Sequence, residues 1–222
     1  MNNVPELERK TIEEIKRISA RQAVNIRIDP EKKPQITDSK FGGIPYWNLA
    51  MEYPRAKDGS LLMLLAQINL DELNREGKNL GGKLPKCGML QFFIAMDDVY
   101  GMDDYQFEDC FRKAAETVGW KLTGKKNRCN SFSEEGQNIL FEELEPSGHW
   151  MLGYPCFTQY DPREGDDAKG KYSVQLFQMD SDYGKEDDYI LWGDAGVANF
   201  FIREEDLARE DFRDVLYSWD CC

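Results

Sequence analysis

Side chains able to do chemistry gather in the last third of the chain. The stretch Asp180-Ser-Asp182-Tyr-Gly184-Lys-Glu186-Asp187-Asp188 holds five carboxylates in nine residues, a density that suits calcium. Counted from Asp180, an EF-hand needs glycine at position six and a bidentate carboxylate at position twelve. Here Gly184 falls one place early and Leu191 holds the twelfth position. The stretch reads as an acidic hairpin connection, and no metal ligand set is assigned. Just beyond it, Asp194 stands between two glycines in Gly193-Asp194-Ala195-Gly196. Glycine takes the positive φ of a tight hairpin, and an aspartate can cap such a turn. Asp194 would serve a ligand only with Asp180 or Asp182 beside it, since one carboxylate alone binds little.

A second group consists of amides set into apolar runs: Gln67 and Asn69 in LLAQINL, and Gln178 in LFQMD. A buried amide must find hydrogen-bond partners, so these residues tie strands together or line a polar pocket. Gln67, Asn69, Gln178, Asp180, Asp182, Trp192 and Asp194 form the candidate ligand-binding set, and no catalytic residue is assigned. A carboxylate- or metal-assisted hydrolase would require the aspartates to converge with Gln67 and Gln178 on one cavity.

Two other motifs fail on inspection. Gly119-Trp-Lys-Leu-Thr-Gly124-Lys125-Lys126 nearly spells a phosphate loop, but Lys126 replaces the Ser or Thr that would ligate magnesium. The single histidine, His149, lies seven residues before Cys156, and buried inert cysteine is the commoner outcome for such a pair. No cysteine pair has zinc-ligand spacing, and no cofactor is expected.

The elements that must position these groups follow from periodicity. Residues 3–20 predict a helix, with Asn3 and Glu6 as a capping box, Pro5 in the first turn, and Leu7, Ile12, Ile15 and Ile18 as its apolar stripe. Strands are expected in AVNIRID, LLMLLAQINL, MLQFFIAM, NILFEEL, YSVQLFQMD, DYILW, VANFFI and near DVLYSW. Helical spacing marks FEDCFRKAAETVG, and shorter helical turns fit DELNRE and EEDLARE. Residues 120–137 read as a polar surface excursion. No internal repeat is legible. Strands in sequence with helices held apart predict an α+β class with mainly antiparallel sheet.

Composition bounds the rest. The 222 residues suit one domain, with residues 1–38 supplying an N-terminal helix and strand packed on it. A formal net charge of −13 disfavours nucleic acid and anionic membranes as partners. No apolar run reaches membrane-spanning length and the polar N-terminus is no signal peptide. A cytoplasmic location with reduced thiols is therefore expected.

In their order, SKFGGIPYW, LLAQINLDEL, LPKCGMLQFFI, MLGYPCFTQYDPR, QLFQMDSD and WGDAGVANFFI resemble the YwqG-like family of uncharacterised, mostly bacterial proteins. The resemblance runs from residue 39 to the C-terminus. It implies a mainly antiparallel, strongly curved, roll-like sheet with a few helices, and it supplies no activity, cofactor or catalytic set. Some members of that family lie beside secretion or toxin–immunity genes, which implies partner binding. The resulting expectation is a binding or protein-interaction module, with the hydrolase as the alternative.

Overall fold

The computed structural model describes residues 4–56, 59–78, 80–95, 132–144, 146–163, 167–184 and 188–221. The chain is α+β, and among the described residues the strand pairing is antiparallel. The described strands divide among three sheets, and none of them closes on itself.

Helix α1 (Glu6–Ser19) leads into β1 (Ala23–Ile26). Pro5 occupies the N-cap without a side-chain bond, and Asn3, the expected cap, lies outside the described residues. Ile12 and Ile15 are buried while Leu7 is exposed, so the apolar stripe is one turn shorter than expected. Those isoleucines pack on Phe132 and on α3 (Glu134–Leu144). That helix takes the segment NILFEEL, which the sequence suggested as strand. Its N-terminus is held in two ways. The Ser133 hydroxyl accepts from the Gly136 N–H (3.2 Å), and the Glu8 carboxylate accepts from the Ser133 N–H (2.9 Å) and hydroxyl (2.6 Å). Capping groups decide a segment whose apolar spacing is compatible with either structure. The expected helix over FEDCFRKAAETVG and the near-match to a phosphate loop both lie outside the described residues.

The smaller main sheet orders β2 (Lys40–Phe41), β3 (Met63–Asn69) and β4 (Met89–Ile94). The larger orders β1, β5 (His149–Leu152), β6 (Val174–Asp180), β9 (Val197–Ile202) and β10 (Val215–Asp220). A small hairpin joins β7 (Asp182–Tyr183) to β8 (Asp188–Ile190). Short helices α2 (Leu70–Arg75), α4 (Asp167–Gly170) and α5 (Glu204–Ala208) follow β3, precede β6 and follow β9.

The two main sheets contain the same unit twice, which corrects the reading that the chain has no repeat. Ladder β3–β4 runs Met63↔Ile94, Leu64↔Phe93, Ala66↔Phe92, Gln67↔Gln91, Ile68↔Leu90 and Asn69↔Met89. Ladder β6–β9 runs Val174↔Ile202, Gln175↔Phe201, Phe177↔Phe200, Gln178↔Asn199, Met179↔Ala198 and Asp180↔Val197. Both shift register at the same place, skipping Leu65 in one and Leu176 in the other. Such a bulge bends its strand at a set point. The units pack through equivalent residues, Phe92 against Phe200 at 4.9 Å, with Phe177 stacked on Phe92 at 4.5 Å. These rings sit in the main core together with Leu90, Leu176, Met179 and Ile202.

Candidate functional site

Each unit is organised by one fully buried glutamine. Gln67 on β3 accepts through Oε1 from the Tyr46 N–H (2.8 Å) and the Gln91 amide (3.0 Å). Its Nε2 donates to the carbonyls of Ile36 (3.0 Å) and Asp38 (2.9 Å). Gln178 on β6 repeats this set. Its Oε1 accepts from the Cys156 N–H (2.7 Å) and the Gln175 amide (2.9 Å), and its Nε2 donates to Pro146 (2.7 Å) and Gly148 (2.8 Å). On the neighbouring strand Gln91 donates to the Tyr46 carbonyl, and Asn199 to that of Cys156, each at 2.8 Å.

Both glutamines are 0% exposed, and four bonds satisfy the whole amide. Their work is to pin an irregular loop across the outer face of a sheet. The loop after β2 lays Trp47 on Phe93 (5.9 Å), and the loop after β5 lays Phe157 on Phe201 (6.1 Å). The sequences Gly43-Ile-Pro-Tyr-Trp47 and Gly153-Tyr-Pro-Cys-Phe157 are thus equivalent loops.

The other candidate residues are also committed to structure. Asn69 caps α2, accepting from the N–H groups of Asp71 (3.0 Å) and Glu72 (3.3 Å), while its amide donates to Thr37 (3.0 Å). Asp180 accepts from the N–H groups of Gly148 (2.6 Å) and Ser181 (2.8 Å). Asp182 lies 3.2 Å from Nε2 of His149, whose Nδ1 accepts from the Asp180 N–H at 3.1 Å. The accepting Nδ1 leaves the ring proton on Nε2, facing Asp182. With both nitrogens occupied, His149 has none to serve as a base toward Cys156. Trp192 is buried and its ring packs at 6.0 Å from Trp219.

Asp194 is exposed, and what ties it to the acidic hairpin is its carbonyl, which accepts from the Tyr183 hydroxyl (3.2 Å). The turn that carries it is not the hairpin expected between DYILW and VANFFI. Strand β8 pairs with β7, while β9 pairs with β6 and β10. The turn closes through the Gly196 N–H on the Trp192 carbonyl (2.7 Å), and Gly193 has φ +58° as a tight turn requires. Gly196 is required for another reason. A Cβ there would stand 2.0 Å from the Asp220 carbonyl oxygen.

Gln178, Asp180, Asp182 and His149 are thus brought together around the start of β5 and the end of β6, whereas Gln67 and Asn69 serve the other unit. Among the described residues, no three His, Cys, Asp or Glu side chains are grouped as metal ligands would be. Glu186 and Asp187 lie outside those residues.

Sequence reasoning passed over the loop between β2 and β3. It carries Ile44, Tyr46, Leu49, Met51 and Leu61 with large apolar surfaces in solvent, and Leu49 is 96% exposed. Trp47, Tyr53 and Phe93 anchor it as a three-ring cluster with centroids 5.1 to 5.9 Å apart. The unmatched apolar content of SKFGGIPYWNLAMEY was the available signal.

The chain matches the family described as "Domain of unknown function (DUF1963)" over residues 39–120 and 104–221, and it belongs to that family. No curated protein matches it. No helix among the described residues is long and apolar enough to cross a membrane.

Proposed function

We propose that the protein is a protein-interaction module whose docking surface is the loop between β2 and β3. The observation that carries this reading is the difference between the two equivalent loops. In the second unit Gln159, although exposed, is tied by hydrogen bonds to the end of β10. Its N–H donates to the Asp220 carboxylate at 2.5 Å, and its amide donates to the Cys221 carbonyl. The equivalent residue of the first unit, counted from the Tyr46 and Cys156 anchors, is Leu49, and it stands 96% exposed. Ile44, at 78%, and Met51 and Leu61 extend the apolar surface. Grouped exposed apolar side chains on a rigid base are the usual mark of a protein contact.

The second unit also indicates the partner's form. There the end of β10 meets Gln159 and Tyr160 through hydrogen bonds, and an extended peptide segment presenting apolar side chains would suit the exposed apolar loop of the first unit. The resemblance to the YwqG-like family, with members beside toxin–immunity and secretion genes, points the same way. A photo-crosslinking residue at position 49 is compared in cells with one at the exposed polar position 31. The reading expects one adduct specific to position 49, lost when Ile44→Glu is added. Identical adducts at both positions, or an adduct indifferent to Ile44→Glu, would overturn it.

A further inference from the structure

We propose that the outer edge of β4 receives an extended, acidic-ended segment of another protein as an added strand, in the place that β10 holds beside β9. The inference rests on the reading of the loop between β2 and β3 as a docking surface, and it names how the partner is held there.

The repeat supplies the comparison. The shared bulge makes Met89, Gln91 and Phe93 equivalent to Val197, Asn199 and Phe201. Strand β9 pairs with β6 on one side and β10 on the other, and all six of its residues are buried. Strand β4 pairs with β3 alone among the described residues. Its core-facing Leu90, Phe92 and Ile94 are buried, whereas Met89, Gln91 and Phe93 are only partly so.

The exposure of Leu49 has the same cause. In both units the pinned loop crosses the sheet toward this edge, with Gln91 or Asn199 donating to one of its carbonyls. In the second unit the loop then meets β10, where the Asp220 carboxylate accepts from the N–H groups of Gln159 (2.5 Å) and Tyr160 (3.3 Å). Residues 48–50 hold the equivalent position in the first unit and meet no strand among the described residues.

Proteins commonly block an open edge with a charge, a proline or a bulge. The edge strand MLQFFI has no charge or proline, and the bulge of its ladder lies on β3. Main-chain pairing at such an edge captures extended peptides, and alternate side chains then set specificity.

The partner's chemistry follows from β10. Its Val215, Tyr217 and Trp219 pack against the core, with Tyr217 stacked on Phe200 at 4.7 Å. The added strand therefore carries apolar residues opposite Ile94, Phe92 and Leu90. At the place of Asp220 it carries a carboxylate. Asn48 already accepts from the Ala50 N–H (3.0 Å), but the Leu49 N–H has no acceptor among the described residues. Asp220 pairs with Val197, at the start of β9. The corresponding carboxylate arrives at the start of β4, just after the exposed Lys83 and Lys86. A second copy of the chain is the poorer occupant, because a net charge of −13 sets two copies against each other.

The test titrates the full chain calorimetrically with the acetylated, amidated peptide Asp-Val-Leu-Tyr-Ser-Trp-Asp-Leu. It carries the β10 pattern and sets a leucine against Leu49. Two further versions are N-methylated at alternate residues, one for each edge of the peptide strand, and a third has asparagine for its second aspartate. One methylated version should bind at least ten-fold more weakly and the other like the parent peptide. The asparagine version should also lose at least ten-fold. Hydrogen exchange should slow at alternate amides of Met89–Ile94 and stay unchanged in β9. The proposal is overturned if the parent peptide shows no saturable binding, if the methylated versions bind alike, if asparagine serves as well, or if the slowing falls on β9. Protection of the β4 edge in the chain alone also overturns it, assigning the edge to a second copy if protection grows with concentration and to the chain itself if it does not. A crosslink at position 49 without slowed exchange in β4 would sink strand addition and spare the docking surface. Slowed exchange in β4 without that crosslink would do the reverse.

Discussion

Replacing Gln178 by leucine keeps the side-chain volume close to native and removes all four hydrogen bonds that the amide makes. The Gln175 amide retains Asn199 at 3.1 Å, so the groups stranded are the Cys156 N–H and the carbonyls of Pro146 and Gly148. Each buried group left unpaired costs about 1–3 kcal/mol. Three at the lower end come to about 3 kcal/mol, and burying leucine in place of an amide returns part of that. A net loss of about 2–4 kcal/mol is expected, a large fraction of the ~5–15 kcal/mol typical of a domain. The repeat provides the control. Gln67→Leu strands the corresponding set, the Tyr46 N–H and the carbonyls of Ile36 and Asp38. Those groups belong to a loop whose Ile36 and Tyr46 are exposed, so water can replace the lost bonds. Gln67→Leu should cost roughly half as much. Urea unfolding followed by tryptophan fluorescence measures both, provided the m-value stays constant. A Gln178→Leu loss below about 0.5 kcal/mol, or a larger loss for Gln67→Leu, would refute the reasoning that these amides act as loop anchors.

Two further outcomes follow from the region around β10. Gly196→Ala places a Cβ 2.0 Å from the Asp220 carbonyl oxygen and 2.7 Å from that of Trp192, both backbone atoms. It should destabilise by about 3 kcal/mol or more, and a thermal midpoint equal to wild type would contradict the packing described. Asp220 is buried, with Oδ1 lacking a hydrogen-bond partner. Burial raises its carboxyl above the ordinary value of 3.8, and hydrogen bonds from Gln159 and Thr158 only partly offset this. A folded-state pKa above the unfolded one means that protonation favours the native state. Its contribution is complete below pH 3.8 and is lost as pH rises through the folded value. The stability of wild type relative to Asp220→Asn should therefore increase on acidification, measured by urea unfolding across pH. A difference that falls with acidification would reverse the sign and reject the assignment.

Most strands were legible because their apolar residues announce themselves. LLAQINL, MLQFFI, VQLFQMD and VANFFI all occupy strands where expected, since runs of aliphatic and aromatic side chains cannot stay in water. The sequence by itself also determined that Gln67 and Gln178 must find partners, because an amide inside such a run has no other way to remain buried. Three things were decided only by tertiary structure. NILFEEL became a helix because Glu8, more than a hundred residues away, reaches its N-terminus. The glycine turn failed to make a hairpin because β9 found better-matched neighbours in β6 and β10. The repeat stayed hidden because what is duplicated is a register and a set of hydrogen bonds. Leu64 and Gln175, or Tyr46 and Cys156, share almost no chemistry as side chains, yet they hold the same places in the two ladders and loops. Backbone groups do that pairing, and they leave no mark on the one-dimensional pattern.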